Sequence, residues 1–92
     1  MRVSGDFIIR EIAGEHILIP VGQAALHIHG MINLTESGVL LWQRLQQDTT
    51  EDQLVEAILA EYDIDSDTAR SDVREFLDKL RRLEILQEAA LG

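Results

Sequence analysis

Three histidines, His16, His27 and His29, are the side chains of this sequence best suited to binding a metal. Imidazole nitrogens are common ligands of Zn²⁺ and Ni²⁺. If the chain forms a hairpin that turns near residues 22–23, His16 lies opposite His29 and beside His27. No carboxylate is clearly placed to orient the three rings, and an exposed strand face accounts for them more simply. We therefore predict no metal and no other cofactor.

Catalysis has little support among the remaining residues. The chain contains no cysteine, which excludes a thiolate nucleophile, a thiolate metal site and a disulfide framework. Ser37 and Ser71 have no evident base partner, and acidic pairs such as Glu51 and Asp52 are typical of the first turn of a helix. The sequence therefore predicts a protein that is not an enzyme.

A concentration of positive charge is the other feature that could do chemistry. Asp and Glu number 17 against 8 Lys and Arg, which gives a formal net charge of −9. Five of those eight cations lie in one short segment: Arg70, Arg74, Lys79, Arg81 and Arg82. A chain this acidic repels nucleic acid and anionic membranes at long range. General attraction to such partners therefore does not explain why the cations cluster in one segment.

Three of these cations share one side of a predicted helix. At about 100° per residue, Arg70, Arg74 and Arg81 form a strip beside the core edge, with Leu77 among them. We expect Leu77 to be exposed there, as the floor of a groove whose basic rim suits an acidic and hydrophobic peptide. The simpler alternative is that the long arginine stems cover the core edge and keep their charged ends in water.

Lys79 and Arg82 lie on a different side of the same helix. Each follows an acid by four residues, Glu75 and Asp78 respectively, which is the favourable order for ion pairs within a helix. We therefore expect these two cations to lie on a solvent-exposed face, and we assign them no function.

The length and composition of the chain indicate a single globular domain. Its 92 residues can form one modest hydrophobic core, and a hydrophobic content of 46% favours a folded chain. We expect one domain over residues 1–92, with a core from about residue 7 to about residue 87. The N-terminal segment lacks the apolar centre of a signal peptide, and no apolar run is long enough to span a bilayer. A cytoplasmic location is the resulting prediction.

The first third of the chain is predicted to form strands. Residues 7–12 (FIIREI) are rich in β-branched side chains, and residues 16–21 (HILIPV) and 26–32 (LHIHGMI) alternate in hydrophobicity. Gly14 and Gly22 suit the connections. Strands joined by short loops form an antiparallel meander, so we expect a three-stranded sheet with one buried face.

Three helices are predicted after residue 33. The residues that mark their starts are Thr35, then Thr50 with Gln53 at capping-box spacing, and then Asp65 or Ser66. The third helix is the longest and runs to about Leu83. An α+β fold follows, with three antiparallel strands before three helices.

The helical part of the chain carries an ordered series of motifs. Residues 34–45 (LTESGVLLWQRL) combine a capped, small-residue start with an aliphatic run into a tryptophan. A Thr-Glu pair at residues 50–51, the break EYDID at residues 61–65 and the pattern DVxxFLxxL over residues 72–80 follow. In this order, the motifs resemble the PqqD-like family, whose domain is also called the RiPP recognition element. The resemblance covers roughly residues 14–87, and it departs from the family at QQDTT, where a Gly is often found.

The resemblance implies a winged-helix-like domain without catalytic activity of its own. Such domains bind the leader segment of a ribosomally made precursor peptide and present it to a modifying enzyme, such as a radical-SAM enzyme, a cyclase or a leader peptidase. In the family the leader adds as an extra strand beside the third strand and packs against the third helix. Carried onto this sequence, the implied peptide-binding residues are Leu26, His27, Ile28, His29, Met31 and Ile32 on the strand, and Arg70, Val73, Arg74, Leu77 and Arg81 on the helix. An open strand edge suits strand addition, and the three arginines can pair with leader carboxylates.

A winged-helix DNA-binding regulator is the main alternative, because a basic third helix can enter the major groove. Asp72, Glu75 and Asp78 on that helix, together with the net charge of −9, argue against nucleic acid as a partner. The exposed edge could also pair with a second copy, which leaves a homodimer open. The sequence does not identify the precursor peptide, the pathway or the partner enzyme.

Overall fold

The computed structural model describes residues 1–3, 5–28 and 30–88. The elements in chain order are β1 (Arg2–Val3), β2 (Asp6–Ile12), β3 (Glu15–Val21), α1 (Ala24–His27), β4 (Ile32–Leu34), α2 (Glu36–Arg44), α3 (Glu51–Glu61), α4 (Ser66–Arg82) and β5 (Leu86–Gln87). An antiparallel sheet has the order β2-β3-β4, while β1 and β5 pair in a separate two-stranded ribbon. The predicted α+β class, a three-stranded antiparallel sheet followed by three helices, is confirmed.

A tight hairpin joins β2 and β3. The two strands pair along their whole length, and only Ala13 and Gly14 form the turn. Both residues have positive φ, +53° and +80°, which is the backbone of a type I′ connection. The strands predicted at residues 7–12 and 16–21 are confirmed to within one residue.

The third strand of the sheet lies later in the chain than residues 26–32, where it was predicted. Leu26 and His27 belong to the one-turn helix α1, and β4 starts only at Ile32. This part of the prediction was wrong. His29 lies outside the described residues.

Local backbone preferences explain the displacement. Ala24 and Ala25 are strong helix formers, and Ala24 buries its side chain as α1 starts. Gly22 and Gly30, with φ of +57° and +91°, let the chain turn away from β3 and then bend ahead of β4. Two flanking glycines and two alanines therefore outweigh the alternating pattern between them.

The register of β4 also separates the histidines. His16 lies opposite Leu34 in the sheet, so the register that would have placed it opposite His29 was wrong. His27 is in α1 rather than on a neighbouring strand. In the described part of the chain, no group of three His, Cys, Asp or Glu side chains is arranged to hold a metal ion.

The three long helices begin at the predicted capping residues. Thr35 Oγ1 accepts a hydrogen bond of 3.0 Å from the backbone N–H three residues later. Thr50 and Gln53 form a reciprocal capping box with two bonds of 3.1 Å, and Asp65 Oδ1 accepts a bond of 2.6 Å at the start of α4. Among the described residues, no helix is both long and apolar enough to cross a membrane.

The hydrophobic core lies between the inner face of the sheet and the three long helices. Its largest fully buried side chains are Leu18, Leu41, Leu45, Leu54, Ile58, Val73, Leu77 and Leu80. Trp42 meets Phe7 edge to face with ring centroids 5.3 Å apart, which joins α2 to β2. Val3 also belongs to the core, ahead of the predicted start at residue 7.

Candidate functional site

The free edge of the three-stranded sheet faces helix α4 across a groove. Within residues 1–3, 5–28 and 30–88, β4 is paired with β3 alone, so its other side is open. Side chains from both elements line a depression of about 560 Å³: Met31, Ile32, Asn33, Lys79, Arg82 and Leu83. A second depression, of about 310 Å³, shares Asn33, Lys79 and Arg82 and extends to the start of α2. We call the two together the β4–α4 groove.

Apolar side chains are accessible along this groove. Met31 is 63% exposed, and Ile32, Phe76 and Leu83 are half-buried and pack against the core. Gly38 lies beside Phe76: a Cβ atom at this glycine would be 3.4 Å from the ring. The first turn of α2 approaches α4 this closely because residue 38 has no side chain. The groove therefore offers hydrophobic contacts to an extended chain lying along β4.

The charged side chains of the groove are divided along its length. Lys79 and Arg82 lie toward the C-terminal end of α4, and Asp72 and Glu75 lie one to two turns earlier. Lys79 Nζ donates a hydrogen bond of 3.3 Å to the backbone carbonyl of Asn33. A bound strand would therefore meet positive charge at one end of the groove and negative charge at the other.

The ion pairs expected for Lys79 and Arg82 were wrong. In the described part of the chain, neither cation has a carboxylate oxygen within 4 Å, and Asp78 binds Arg81 instead, at 3.0 Å. Lys79 is directed toward β4, because its position on α4 faces the sheet edge. These two cations are thus the ones that line the groove, although the sequence assigned them no function.

Arg70 and Arg74 bind carboxylates at the start of α3 rather than lining the groove. Arg70 Nη1 lies 2.6 Å from Glu51 Oε2 and Nη2 lies 2.9 Å from Asp52 Oδ1. Arg74 Nε lies 3.2 Å from Glu51 Oε2. Hydrogen bonds from Arg74 and Arg70 hold the pKa of Glu51 below its usual value, despite partial burial of the carboxylate. The pKa of Arg70 is raised by Asp52 and then by Glu51.

Arg81 is engaged at the other end of α4. Its Nε lies 2.6 Å from Glu88 Oε1 and its Nη1 lies 3.0 Å from Asp78 Oδ1. The hydrogen bond to Glu88 is the main reason that the pKa of Arg81 is raised. Arg81 therefore links α4 to the segment that follows β5.

Leu77 is a core residue, so the expectation that it forms an exposed groove floor was wrong. Its exposed fraction is 0%, as is that of Val73. Helix α3 packs on the side of α4 where Leu77 lies, and this contact extends the buried face beyond the predicted apolar stripe. Neither side chain is accessible to a peptide in this structure.

The predicted site residues thus fall in several places. Met31 and Ile32 line the groove. Leu26 is 67% exposed on α1, and His27 and Ile28 line a separate depression beside the end of α4.

Sequence reasoning missed Asn33, Phe76, Lys79 and Arg82 as groove residues. A signal for the helical ones was present, because residues 75, 76, 79, 82 and 83 repeat at three- and four-residue spacing along one side of a helix. The side of α4 that faces the sheet edge became known only from the tertiary structure.

The fold and the groove define the class of this protein. It is a winged-helix-like α+β domain with an open strand edge beside its last long helix. The family model described as "Coenzyme PQQ synthesis protein D (PqqD)" matches residues 15–86. The chain belongs to the PqqD family, and the resemblance found in the sequence motifs is confirmed.

One solved structure is similar over nearly the full length of both chains. It is TbiB1 in complex with the TbiA(beta) leader peptide, with 29% sequence identity, a TM-score of 0.73, and coverage of 98% of this chain and 99% of that chain. A search of curated proteins gave no match.

Proposed function

We propose that this protein binds the leader segment of a ribosomally made precursor peptide by adding it as a strand to the open edge of β4. The observation that carries the proposal is the free strand edge facing α4 across a groove with accessible apolar and charged side chains. The similarity to TbiB1, whose structure contains a leader peptide, supports it independently. The expected affinity is micromolar or tighter, equivalent to about −8 kcal/mol.

Backbone and side chains have separate tasks in this proposal. Strand addition satisfies the unpaired N–H and C=O groups of the sheet edge and supplies affinity that does not depend on sequence. Side chains on one face of the added strand point into the groove, where Ile32, Phe76 and Leu83 offer apolar contacts. Specificity for one leader over another comes from these contacts.

We further propose that the protein acts as a presenting module without catalysis of its own. The bound leader holds the rest of the precursor near a modifying enzyme, such as a radical-SAM enzyme, a cyclase or a leader peptidase. Tethering raises the effective concentration of the precursor at the enzyme to as much as about millimolar, so the modification proceeds faster.

Replacing Asn33 by Pro tests strand addition directly. Antiparallel pairing turns the backbone groups of alternate residues toward and away from the partner strand. Since Lys79 reaches the Asn33 carbonyl from the α4 side, the Asn33 N–H also belongs to the open edge. Proline removes this donor and is tolerated on an edge, so Asn33→Pro should weaken leader binding by at least about tenfold and leave the fold intact.

The measurement is isothermal titration with the leader of the precursor peptide encoded beside this gene. Asn33→Ala is the matched control, because it removes the same side chain and retains the N–H; it should bind like the parent. Fluorescence of Trp42, the single tryptophan, reports whether each variant is folded. A folded Asn33→Pro variant that binds as tightly as the parent would rule out pairing at β4.

Amide NMR then locates the bound peptide. Signals of Met31–Leu34 and Phe76–Leu83 should shift on addition of the leader, whereas those of Asp6–Ile12 should not. The latter strand is the other edge of the same sheet, so shifts confined to it would place the peptide, or a second copy of the protein, on the opposite side.

A further inference from the structure

Lys79 occupies a backbone acceptor that strand addition needs. Its ammonium group donates to the Asn33 carbonyl at 3.3 Å, and this carbonyl lies on the open side of β4. A peptide strand that pairs with β4 must supply an N–H group to the same oxygen. Both donors approach this oxygen from the same open side of β4, so an added strand competes with Lys79 for the space beside it.

The present partner of Lys79 is a weak one for a cation. At 3.3 Å, its contact with the neutral Asn33 carbonyl is longer than the distance of about 2.7–2.9 Å typical of a hydrogen bond between an ammonium group and a carboxylate. In the described residues Lys79 has no carboxylate within 4 Å, and Arg82, one turn later on the same side of α4, has none either. Two cations without anionic partners therefore lie at the same end of the groove in an otherwise acidic chain.

We propose that Lys79 covers the edge of β4 in the free protein and exchanges Asn33 for a carboxylate of the bound strand, with Arg82 as a second cation beside it. This inference rests on the proposed function and adds the chemistry of the peptide: the segment that binds carries Asp or Glu at the position facing Lys79 and Arg82. The peptide N–H takes over the Asn33 carbonyl, and the ammonium group moves to the carboxylate.

The exchange makes Lys79 a specificity residue. A strand with a carboxylate at this position gives the displaced ammonium group a stronger partner than it lost, whereas a neutral strand returns it to water. Asp72 and Glu75 at the other end of the groove repel a carboxylate placed there, which fixes the direction of the charge pattern along the peptide. In the free protein, a lysine over an unpaired edge also opposes pairing between copies.

A double-mutant cycle tests the proposal. The probe is the leader peptide encoded beside this gene, with each Asp or Glu changed in turn to Asn or Gln, titrated into the parent and into Lys79→Met. One carboxylate substitution should weaken binding to the parent about tenfold and have less than about twofold effect on Lys79→Met. The control is Arg74→Gln, which removes one positive charge from the side of α4 that faces α3; it should retain the full sensitivity to that carboxylate.

The outcomes separate this inference from the proposed function. If the parent does not bind the leader, both fail. If the parent binds and every carboxylate substitution has the same effect on the parent and on Lys79→Met, only the role of Lys79 is overturned. Carbon-13 NMR of the free protein gives an independent check: Lys79→Met should shift the Asn33 carbonyl signal, and an unchanged signal would overturn the covering contact.

Discussion

At the residue scale, the arginines of α4 that the sequence suggested for peptide binding instead form ion pairs within the protein. Glu51 accepts hydrogen bonds from both Arg70 and Arg74, which places one carboxylate between two guanidinium groups and offsets the repulsion between them. The cluster joins α3 to α4, two helices that share a large part of the core. Its arginines are therefore engaged before any peptide arrives.

Glu51→Gln should lower the free energy of unfolding by about 1 kcal/mol at pH 7, because two partly exposed ion pairs and a favourable charge at a helix start are lost together. Glu56→Gln is the matched control: it makes the same change of charge on an exposed residue of α3 and should alter stability little. Urea titrations followed by Trp42 fluorescence measure both. Equal effects of the two substitutions would contradict a specific role for Glu51.

The pH dependence of this effect has a defined direction. The pKa of Glu51 is lowered in the folded protein by Arg74 and Arg70, so its contribution is complete above the usual glutamate pKa of about 4.3. It is lost as the pH falls through the lowered value. The stability difference between the parent and Glu51→Gln should therefore shrink as the pH falls below about 4, and a difference that does not shrink on acidification would contradict the ion-pair explanation.

At the element scale, the β2–β3 turn is a place where the sequence is not optimal for its backbone. Ala13 has φ of +53°, a conformation that costs an L-residue with a Cβ atom about 1 kcal/mol. Ala13→Asn creates the Asn-Gly sequence that such turns prefer. It should raise the free energy of unfolding by about 0.5–1 kcal/mol, or the melting temperature by about 4 °C.

Gly14→Ala is the converse substitution. Gly14 has φ of +80°, and a Cβ atom there would meet nothing within 4 Å, so any loss of stability comes from the backbone conformation alone. We expect a decrease of about 1 kcal/mol. Calorimetric melting of the two variants should give shifts of opposite sign; shifts of the same sign would contradict this account of the turn.

Elements with local signals were predictable from the sequence, whereas contacts between distant segments were not. Thr35, Thr50 and Asp65 cap helices through hydrogen bonds to groups three residues away, and a short window contains all the required information. The partners of Arg70 are 18 and 19 residues away, and that of Lys79 is 46 residues away. Only the packing of α3 and β4 on opposite sides of α4 decides which cation meets which group.

The β4–α4 groove was also only partly predictable, because it too depends on contacts between distant segments. Motifs in the helical part predicted the family and, through it, an extended peptide between the third strand and the third helix. The side of α4 that faces β4 carries Lys79 and Arg82 rather than the predicted arginine strip. The two sides flank the same buried face, so the hydrophobic pattern of the sequence does not tell which of them meets the sheet edge. Met31 and Ile32 were found because they lie close to the true start of β4.

At the scale of the whole molecule, the net charge favours the proposed peptide partner over DNA. The chain carries −9, and Arg70, Arg74 and Arg81 are already paired with carboxylates. Phosphate contacts supply much of the affinity for DNA, and few free cations remain to make them. We expect no amide NMR shifts on addition of an unrelated duplex at about 150 mM salt, under conditions where the leader produces them.

A basic winged-helix protein serves as the positive control for the same duplex. Shifts in α4 that appear with DNA and weaken with added salt would favour the regulator hypothesis instead.

The shortness of β4 has a consequence for how long a complex lasts. In the proposed complex, a segment added to this three-residue strand forms few backbone bonds, which agrees with the expected micromolar affinity. At an association rate constant of about 10⁶ M⁻¹ s⁻¹, such a complex dissociates about once per second. That rate is within an order of magnitude of a typical enzyme turnover of about 10 s⁻¹. A short strand edge therefore suits a binding module that releases one peptide within seconds and then binds another, rather than one that holds a peptide for long periods.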